Sequence, residues 1–247
     1  MQASKTILLV GGTSDIGRAT ALHYAEQGWN VMLAARNEEA ARRNADDLAT
    51  RTGVNPSVHI LDVLQADHFQ AFVDELPTLP DTVVCVVGEL GQQEQAQADL
   101  NQAASIMRTN FEGPALLLGL FAERFLQRGS GTLVGVSSVA GDRGRGSNYV
   151  YGASKAGLTA FLSGLRNRLA RSGVRVVTVK PGFVRTKMTE GMKLPPLLTA
   201  EPEAVADAIY EAAEKGRGDV IYVRGIWRVV MTVITLIPER VFKRLRL

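Results

Sequence analysis

Short apolar runs rich in β-branched residues alternate along the chain with longer segments of helical periodicity. The runs predict strands at Thr6–Val10, Val31–Ala34, Ser57–Leu61, Thr82–Val87, Gly131–Ser137, Arg175–Lys180 and Val220–Val223. The segments between them predict helices at Gly17–Gln27, Glu38–Arg51, Ala66–Leu76, within Leu100–Arg128, and at Tyr151–Arg171 and Pro202–Glu214. This alternation predicts a single α/β domain in which helices flank a doubly wound parallel sheet.

Composition narrows the class of protein. The chain has 247 residues, with 46% hydrophobic and 21% charged side chains, values typical of a soluble globular domain. Its single cysteine, Cys85, excludes a disulfide framework and a cysteine-rich zinc module. The three histidines, His23, His59 and His68, are not spaced as metal ligands, so we expect no protein-bound metal.

Positive charge is concentrated at one end of the chain. The net charge is +3, and residues 226–247 carry +4 while the rest of the chain carries −1. A near-neutral body argues against nucleic acid as a partner. The N-terminal residues lack the apolar stretch of a signal peptide, and no window reaches about 18 consecutive apolar residues. We therefore expect a cytoplasmic protein without a bilayer-spanning segment.

A glycine-rich turn follows the first predicted strand and opens the first predicted helix. Such a turn lets the backbone approach a pyrophosphate, which the free N–H groups and the dipole of the helix then bind. The turn predicts a nucleotide site whose candidate residues are Gly11, Thr13, Ser14, Asp15, Ile16 and Gly17. Asp15 stands where another glycine is expected; capping of the helix is favoured over a charge near the cofactor phosphates.

The ends of the next two strands bear on the choice of cofactor. An acid after the second strand would bind the ribose 2′-hydroxyl of NAD(H), whereas an arginine accommodates the 2′-phosphate of NADP(H). Ala35 and Arg36 stand there, which favours NADP(H) and leaves NAD(H) open. The alternative for Arg36 is a solvated residue at a helix start. Asp62 and Val63 follow the third strand and are candidates either for adenine contact or for capping a turn.

Three residues carry the candidate chemistry. Tyr151 and Lys155 are four positions apart, so they share one face of a helix. A neighbouring cation favours a phenolate, so we expect Lys155 to lower the pKa of Tyr151 toward the working range. Ser138, at the end of a predicted strand, offers a hydroxyl for a substrate carbonyl oxygen. A tyrosine–lysine pair alone is common on ordinary helices; together with Ser138 and the glycine-rich turn it predicts a proton donor beside a nicotinamide.

The combination of the glycine-rich turn with Ser138, Tyr151 and Lys155 resembles the short-chain dehydrogenase/reductase (SDR) family up to about residue 225. The resemblance implies a Rossmann-like fold, NAD(P)(H)-dependent reduction of a ketone, and a homodimer or homotetramer. It implies that Tyr151 is the general acid, that Ser138 polarises the carbonyl and that Lys155 binds ribose. Further implied roles are a proton relay at Asn110 and cofactor contacts at Gly88, Pro181, Gly182, Val184 and Thr186.

The sequence departs from the family pattern after the fourth strand. The family's Asn-Asn-Ala-Gly is here Cys85-Val86-Val87-Gly88, so polar groups that brace the central helix are lost. With Asp15, this departure supports an alternative of another class, a non-catalytic nucleotide-binding scaffold. The intact Ser138, Tyr151 and Lys155 set favours the enzyme.

The loop Met188–Thr199 and the tail 226–247 bear on the substrate. The loop is apolar enough to cover a lipidic ligand or to close as a lid. The tail joins an apolar run to a basic end, which suits a peripheral contact with the inner face of the cell membrane; a buried or subunit-interface helix is the alternative. The tail, the glycine-rich turn and the segments around Ser138 and Tyr151 resemble those of one family member that reduces a keto-pentose on a polyprenyl phosphate downstream of a flavin oxidase. This resemblance implies a lipid-linked keto substrate, although other members with apolar tails act on fatty acyl, steroid or retinoid carbonyls.

Two arginines and one alternative substrate class complete the sequence-based expectations. Arg143 and Arg145 lie near the predicted active-site strand end, where they are candidates either for a substrate phosphate or for solvated loop positions. The alternative substrate class is a free ketone or 3-oxoacyl compound reduced by a soluble enzyme. In that case the tail would serve only assembly.

Overall fold

The computed structural model describes residues 4–245. The strands are β1 (Thr6–Val10), β2 (Asn30–Ala35), β3 (Ser57–Ile60), β4 (Thr82–Cys85), β5 (Gly131–Val136), β6 (Val174–Lys180), β7 (Phe183–Val184), β8 (Thr199–Ala200) and β9 (Val220–Tyr222). The helices are α1 (Asp15–Glu26), α2 (Glu38–Thr52), α3 (Phe69–Asp74), α4 (Gln93–Ala96), α5 (Leu100–Met107), α6 (Gly113–Arg128), α7 (Tyr149–Leu169), α8 (Pro202–Lys215), α9 (Ile226–Leu236) and α10 (Glu239–Phe242).

Seven strands form one parallel sheet in the order β3-β2-β1-β4-β5-β6-β9, while β7 and β8 form a separate parallel pair. The doubly wound α/β fold predicted from the sequence is therefore confirmed. The strand order reverses between β1 and β4, so the connections diverge there and leave a crevice at the carboxyl ends of the strands. This crevice is the place where ligands bind in open sheets of this kind.

Alternate residues of β1 belong to two different cores. Ile7 and Leu9 pack with α1, α2 and α8 on one face of the sheet, whereas Leu8 and Val10 pack with α3, α6 and α7 on the other. All four side chains are buried, which explains why the strand is apolar throughout instead of alternating.

The helical segment predicted within Leu100–Arg128 is interrupted by a π-helical turn over Arg108–Glu112. Pro114 lacks the N–H that would close an α-helical bond to the carbonyl of Asn110, and the N–H of Gly113 bonds to the carbonyl of Arg108 instead. A side chain at Gly113 would overlap the carbonyl oxygen of Val63. The irregular turn is thus fixed by a proline and by a close backbone approach.

The tail has one buried side and one exposed side, so each of the two interpretations left open by the sequence fits one part of it. On α9, Trp227 and Met231 are buried against the body of the protein, while Val229, Val233 and Leu236 are exposed. The final residues of the predicted tail, 246 and 247, lie outside the described part of the chain. Among residues 4–245, no helix is long and apolar enough to cross a membrane.

The approach of α6 to Val63 predicts that Gly113→Ala is destabilising. An overpacked site of this kind costs about 1–3 kcal/mol, because the opposing atom belongs to the backbone. The control is Gly164→Ala on the exposed face of α7, where an added Cβ meets nothing and helix propensity favours alanine by about 0.4–1 kcal/mol. Thermal unfolding should give a lower Tm for the first variant and an unchanged or higher Tm for the second; equal Tm values would contradict the close approach.

Candidate active site

A cleft of about 540 Å³ opens at the carboxyl ends of the central strands. It brings together most of the residues predicted from the sequence, namely Gly11, Thr13, Ser14, Asp15, Ile16, Arg36, Val63, Gly88, Ser138, Tyr151, Lys155, Pro181, Gly182, Val184 and Thr186. Gly17, Asp62 and Asn110 do not line it. The residues predicted to bind a nucleotide and those predicted to act on a carbonyl group therefore line one continuous cleft.

The glycine-rich turn forms the end of the cleft where the sequence predicts that a pyrophosphate binds. Gly11 has a φ of +90°, which favours glycine, and its N–H bonds to the carbonyl of Ala34 at 2.9 Å. The hydroxyl of Ser14 donates to the carbonyl of Gly11 and accepts the N–H of Gly17 at 3.0 Å. A Cβ at Gly17 would overlap the carbonyl oxygen of Gly11, so Gly17 allows the helix to pack on the turn.

The expectation that Asp15 caps the helix is wrong. Ser14 is the N-cap of α1, and Asp15 is the first helical residue. The Asp15 carboxylate instead accepts the backbone N–H of Lys187 at 2.8 Å. This bond joins the glycine-rich turn to the loop that follows β7, a contact between residues 172 positions apart that local sequence does not encode.

The adenosine-side candidates separate into lining and supporting residues. Arg36 is exposed and lines the cleft at the end of β2. The next residue, Asn37, caps α2 by accepting the N–H of Ala40. Asp62 accepts the N–H of Leu64 at 3.0 Å, so its carboxylate caps a turn, while Val63 lines the cleft.

Lys155 holds a buried ammonium at the floor of the cleft. Only 3% of the residue is exposed, and its Nζ donates to the carbonyls of Val87 at 3.2 Å and Val136 at 3.1 Å. Burial lowers the pKa of Lys155 to about 8. The ammonium stays largely protonated at neutral pH, because the carbonyl oxygens at the ends of two strands replace water.

Tyr151 lies one helical turn from Lys155, whose Nζ is 5.9 Å from the centre of the phenol ring. Burial raises the pKa of Tyr151, and a hydrogen bond with the hydroxyl of Ser138 opposes this shift. The expectation that Lys155 brings the pKa of Tyr151 below its ordinary value is therefore wrong, because desolvation of the phenol is the largest influence on this pKa and raises it. Tyr151 is held as a neutral phenol.

Ser138 is buried beside both strands that flank the cleft. Its hydroxyl accepts the N–H of Ala140 at 3.1 Å and lies 3.5 Å from the carbonyl of Pro181, to which it donates weakly. The N–H of Val139 also bonds to Pro181 at 3.0 Å. The extended end of β5 and the segment after β6 are thus joined where Ser138 meets Tyr151.

Asn110 lies behind the cleft, in the π-helical turn, and is fully buried. Its amide donates to the carbonyls of Glu89 at 2.7 Å and Ile106 at 2.9 Å, and its carbonyl accepts the N–H of Glu89 at 3.1 Å. This single side chain braces the segment after β4, where Cys85, Val86 and Val87 offer no polar side chain of their own.

Three lining residues were not predicted as site residues from the sequence, namely Glu89, Thr109 and Ser137. Met188 and Thr189, which also line the cleft beside Lys187, belong to the loop that the sequence predicted to cover a ligand. Ser137 donates to the carbonyl of Lys155 at 2.9 Å and so ties β5 to α7. Its position next to Ser138 at a strand end was the signal available, whereas Glu89 and Thr109 reach the cleft only through the packing of the π-helical turn.

The two arginines considered as phosphate contacts do not line the cleft. The guanidinium of Arg143 binds backbone carbonyls of the tail, so neither a cleft contact nor a solvated loop position describes it. Arg145 is half-buried in the same loop.

Comparison with known proteins agrees with this geometry. A family model described as short chain dehydrogenase matches residues 5–195. An uncharacterized oxidoreductase of Mycobacterium tuberculosis is 36% identical over 245 residues, which cover 97% of this chain and 96% of that one. The chain belongs to the short-chain dehydrogenase family. The family resemblance predicted from the sequence is confirmed, and with it membership among oxidoreductases.

Two further relatives have named activities. Sulfoacetaldehyde reductase 2 of Chromohalobacter salexigens is 33% identical over 212 residues, which cover 84% of this short-chain dehydrogenase and 81% of that reductase. A crystal structure of an actinorhodin polyketide ketoreductase variant with NADPH has a TM-score of 0.79 and 25% identity, covering 90% of this chain and 97% of that one. Both names describe reductases of carbonyl compounds.

The buried Lys155 predicts a pH-dependent penalty on the stability of this short-chain dehydrogenase. Its pKa is about 8 when folded and about 10.4 when unfolded, so the cost of burying the cation is full below pH 8 and disappears as the pH rises toward 10.4. Relative to Lys155→Met, the wild type should gain about 2–3 kcal/mol of unfolding free energy between pH 7 and pH 10.

Urea unfolding of both proteins at the two pH values measures this difference. Other titrating groups cancel, because they are common to the pair. A constant gap between wild type and variant would show that Lys155 does not change its charge in this range.

Proposed function

We propose that this protein is an NADP(H)-dependent ketoreductase that converts a ketone to a secondary alcohol. The observation that carries the proposal is the meeting of a neutral Tyr151, a hydrogen-bonded Ser138 and a buried cationic Lys155 in the same cleft as the glycine-rich turn. The named reductases among its relatives support this reaction class.

The residues at the two ends of the cleft fit a nicotinamide dinucleotide. The turn from Gly11 to Gly17 offers backbone N–H groups at the start of α1, a suitable cradle for a pyrophosphate. Arg36, exposed in the lining, is placed to pair with a ribose 2′-phosphate, which favours NADP(H) over NAD(H). The NADPH named with the actinorhodin ketoreductase agrees with this preference.

The proposed chemistry divides among three side chains. Ser138 donates a hydrogen bond to the carbonyl oxygen of the ketone, and Tyr151 transfers its phenolic proton to that oxygen as negative charge develops. The carbonyl carbon would accept its hydride from a reduced nicotinamide bound in the same cleft. Lys155 then stabilises the tyrosinate, because its cation lies within the same desolvated site. Asn110 keeps the Gly88–Glu89 backbone in place behind them.

For the substrate, we propose a lipidic or lipid-linked carbonyl compound. The loop after β7 brings Met188 into the cleft and carries the exposed apolar side chains of Met192 and Leu197. The finer form of the proposal is decaprenylphosphoryl-2-keto-β-D-erythro-pentose, with a flavin oxidase supplying the keto sugar. A free ketone or 3-oxoacyl substrate is the second candidate, favoured by a 30% identical 3-oxoacyl-[acyl-carrier-protein] reductase of Chlamydia muridarum.

We propose further that the protein assembles and that its tail meets lipid. Apolar side chains remain exposed on α5 and α6 at Leu100, Met107, Leu116 and Leu126, which suits a homodimer or homotetramer built on these helices. On the tail, the exposed stripe of Val229, Val233 and Leu236 precedes a basic end, which suits peripheral contact with an anionic bilayer. The nucleotide-binding α/β domain then ends near residue 225.

Tyr151→Phe tests the reaction. The variant keeps the ring but lacks the transferable proton, so NADPH oxidation with a panel of ketones should fall by about 100-fold or more, while NADPH binding followed by fluorescence stays close to wild type. Parallel assays with NADH should give the lower kcat/KM. Ketone-dependent turnover retained in Tyr151→Phe would refute the assignment, and a wild type that binds NADPH but reduces no ketone would favour a scaffold.

Co-sedimentation with vesicles tests the tail. Full-length protein should sediment with vesicles containing anionic lipid. Replacement of Val229, Val233 and Leu236 by serine should abolish sedimentation, because the exposed apolar stripe is lost. The variant should still fold, because the buried face of α9 stays intact. Vesicles of neutral lipid alone are the control for charge. Equal recovery of both proteins in the supernatant would leave assembly as the role of the exposed stripe.

A further inference from the structure

Arg143 connects the candidate active site to the end of the polypeptide. It lies five residues after Ser138, at the start of the loop that leads to α7, and its side chain is 14% exposed. One guanidinium nitrogen donates to three carbonyls at the end of α9, those of Ile234, Thr235 and Ile237, at 2.8, 3.1 and 2.6 Å. The other donates to Glu239 at 2.9 Å, and the guanidinium stacks 3.7 Å from the ring centre of Phe242.

These contacts provide hydrogen-bond partners both for the end of α9 and for the guanidinium of Arg143. The last carbonyls of a helix have no partner within it, and Pro238 prevents α9 from continuing, so these oxygens need an external donor. A cation at this end also offsets the negative pole of the helix dipole. Arg143 in turn finds there the acceptors that a mostly buried guanidinium needs.

Asp142, the residue before Arg143, links this loop to the segment that contacts Ser138. Asp142 is paired with Lys180 at 2.5 Å, with both side chains 8% exposed, and it accepts the hydroxyl of Tyr222 at 2.7 Å. Burial and the bond to this carboxylate raise the pKa of Tyr222 to about 12, so the hydroxyl remains a donor. Lys180 directly precedes Pro181, whose carbonyl contacts Ser138.

The N-terminal end of α9 packs on Gly182, which follows Pro181, and on the loop after β7. The indole of Trp227 covers Gly182 so closely that a Cβ there would overlap it, and its Nε1 donates to the carbonyl of Leu198 at 2.9 Å. Arg224, the one non-glycine residue with positive φ among residues 4–245, donates to the carbonyls of Pro196 and Thr199. The segment after β6 and the loop after β7 are therefore both held by residues at the start of α9.

We propose that α9 and α10 are a working part of the active site and that Arg143 is the positioning residue that couples them to Ser138. The inference rests on the proposed ketoreductase function. Without the guanidinium, α9 loses its C-terminal cap, and the Ser138–Arg143 segment loses its anchor on the tail. Carbonyl polarisation should then suffer, while the glycine-rich turn and Arg36, which lie on the far side of the cleft, continue to bind cofactor.

Arg143→Gln is the test, with Arg143→Lys as the conservative variant and Arg171→Gln, an exposed arginine beyond α7, as the matched control. In ketone-dependent NADPH oxidation, Arg143→Gln should lower kcat by about 10- to 100-fold, the scale of a sub-ångström to ångström displacement of a catalytic group. NADPH affinity should stay near wild type, and Arg143→Lys should recover part of kcat. Millimolar guanidinium should raise kcat of Arg143→Gln but not of Tyr151→Phe.

A kcat of Arg143→Gln equal to that of Arg171→Gln would overturn the proposal. So would a parallel loss of kcat and NADPH affinity without rescue by guanidinium, since that pattern marks general unfolding. Amide hydrogen exchange provides a readout without substrate: in Arg143→Gln, exchange should speed up in residues 138–143 and 226–237 and not in residues 11–17. Unchanged exchange there would overturn the coupling, whereas a wild type inactive on every ketone would refute only the proposed function.

Discussion

The cleft depends on one ammonium group that the fold removes from water. Lys155 keeps its charge because the carbonyls of Val87 and Val136, at the ends of neighbouring parallel strands, face its Nζ. One of those strands, β4, borders the point between β1 and β4 where the strand order reverses, and Asn110 fixes the backbone that follows it. A cation held in this way can stabilise a neighbouring group that becomes an anion, and in the proposed reaction that group is Tyr151, one helical turn away.

Most of the fold and the composition of the cleft could be predicted from the sequence. The strands are unbroken apolar runs because they are covered on both faces, and the glycine-rich turn and the Tyr151–Lys155 spacing are local patterns. Features that depend on distant partners could not be predicted. The carboxylate of Asp15 meets Lys187 across 172 residues, the pKa of Tyr151 follows from burial, and Arg143 finds acceptors more than 90 residues away.

The tail illustrates why sequence alone left two interpretations open. Apolar residues cover most of the circumference of this helix, and the sequence does not show whether protein or lipid meets them, so burial and lipid contact were both reasonable. In the folded chain each interpretation describes one side of α9: Trp227 and Met231 pack beside Val139, next to Ser138, while the opposite side stays exposed. The tail is thereby placed in contact with the segment that carries Ser138.

The two-sided packing of β1 has a consequence for how such a protein can diverge. Leu9 packs in the layer containing α1, which follows the glycine-rich turn, and Leu8 packs in the layer containing α7, which carries Tyr151 and Lys155. Adjacent residues of one strand therefore support the two ends of the candidate site from opposite faces of the sheet. The proposed coenzyme end can be repacked from one face while the packing behind the proposed proton donor, on the other face, is left in place.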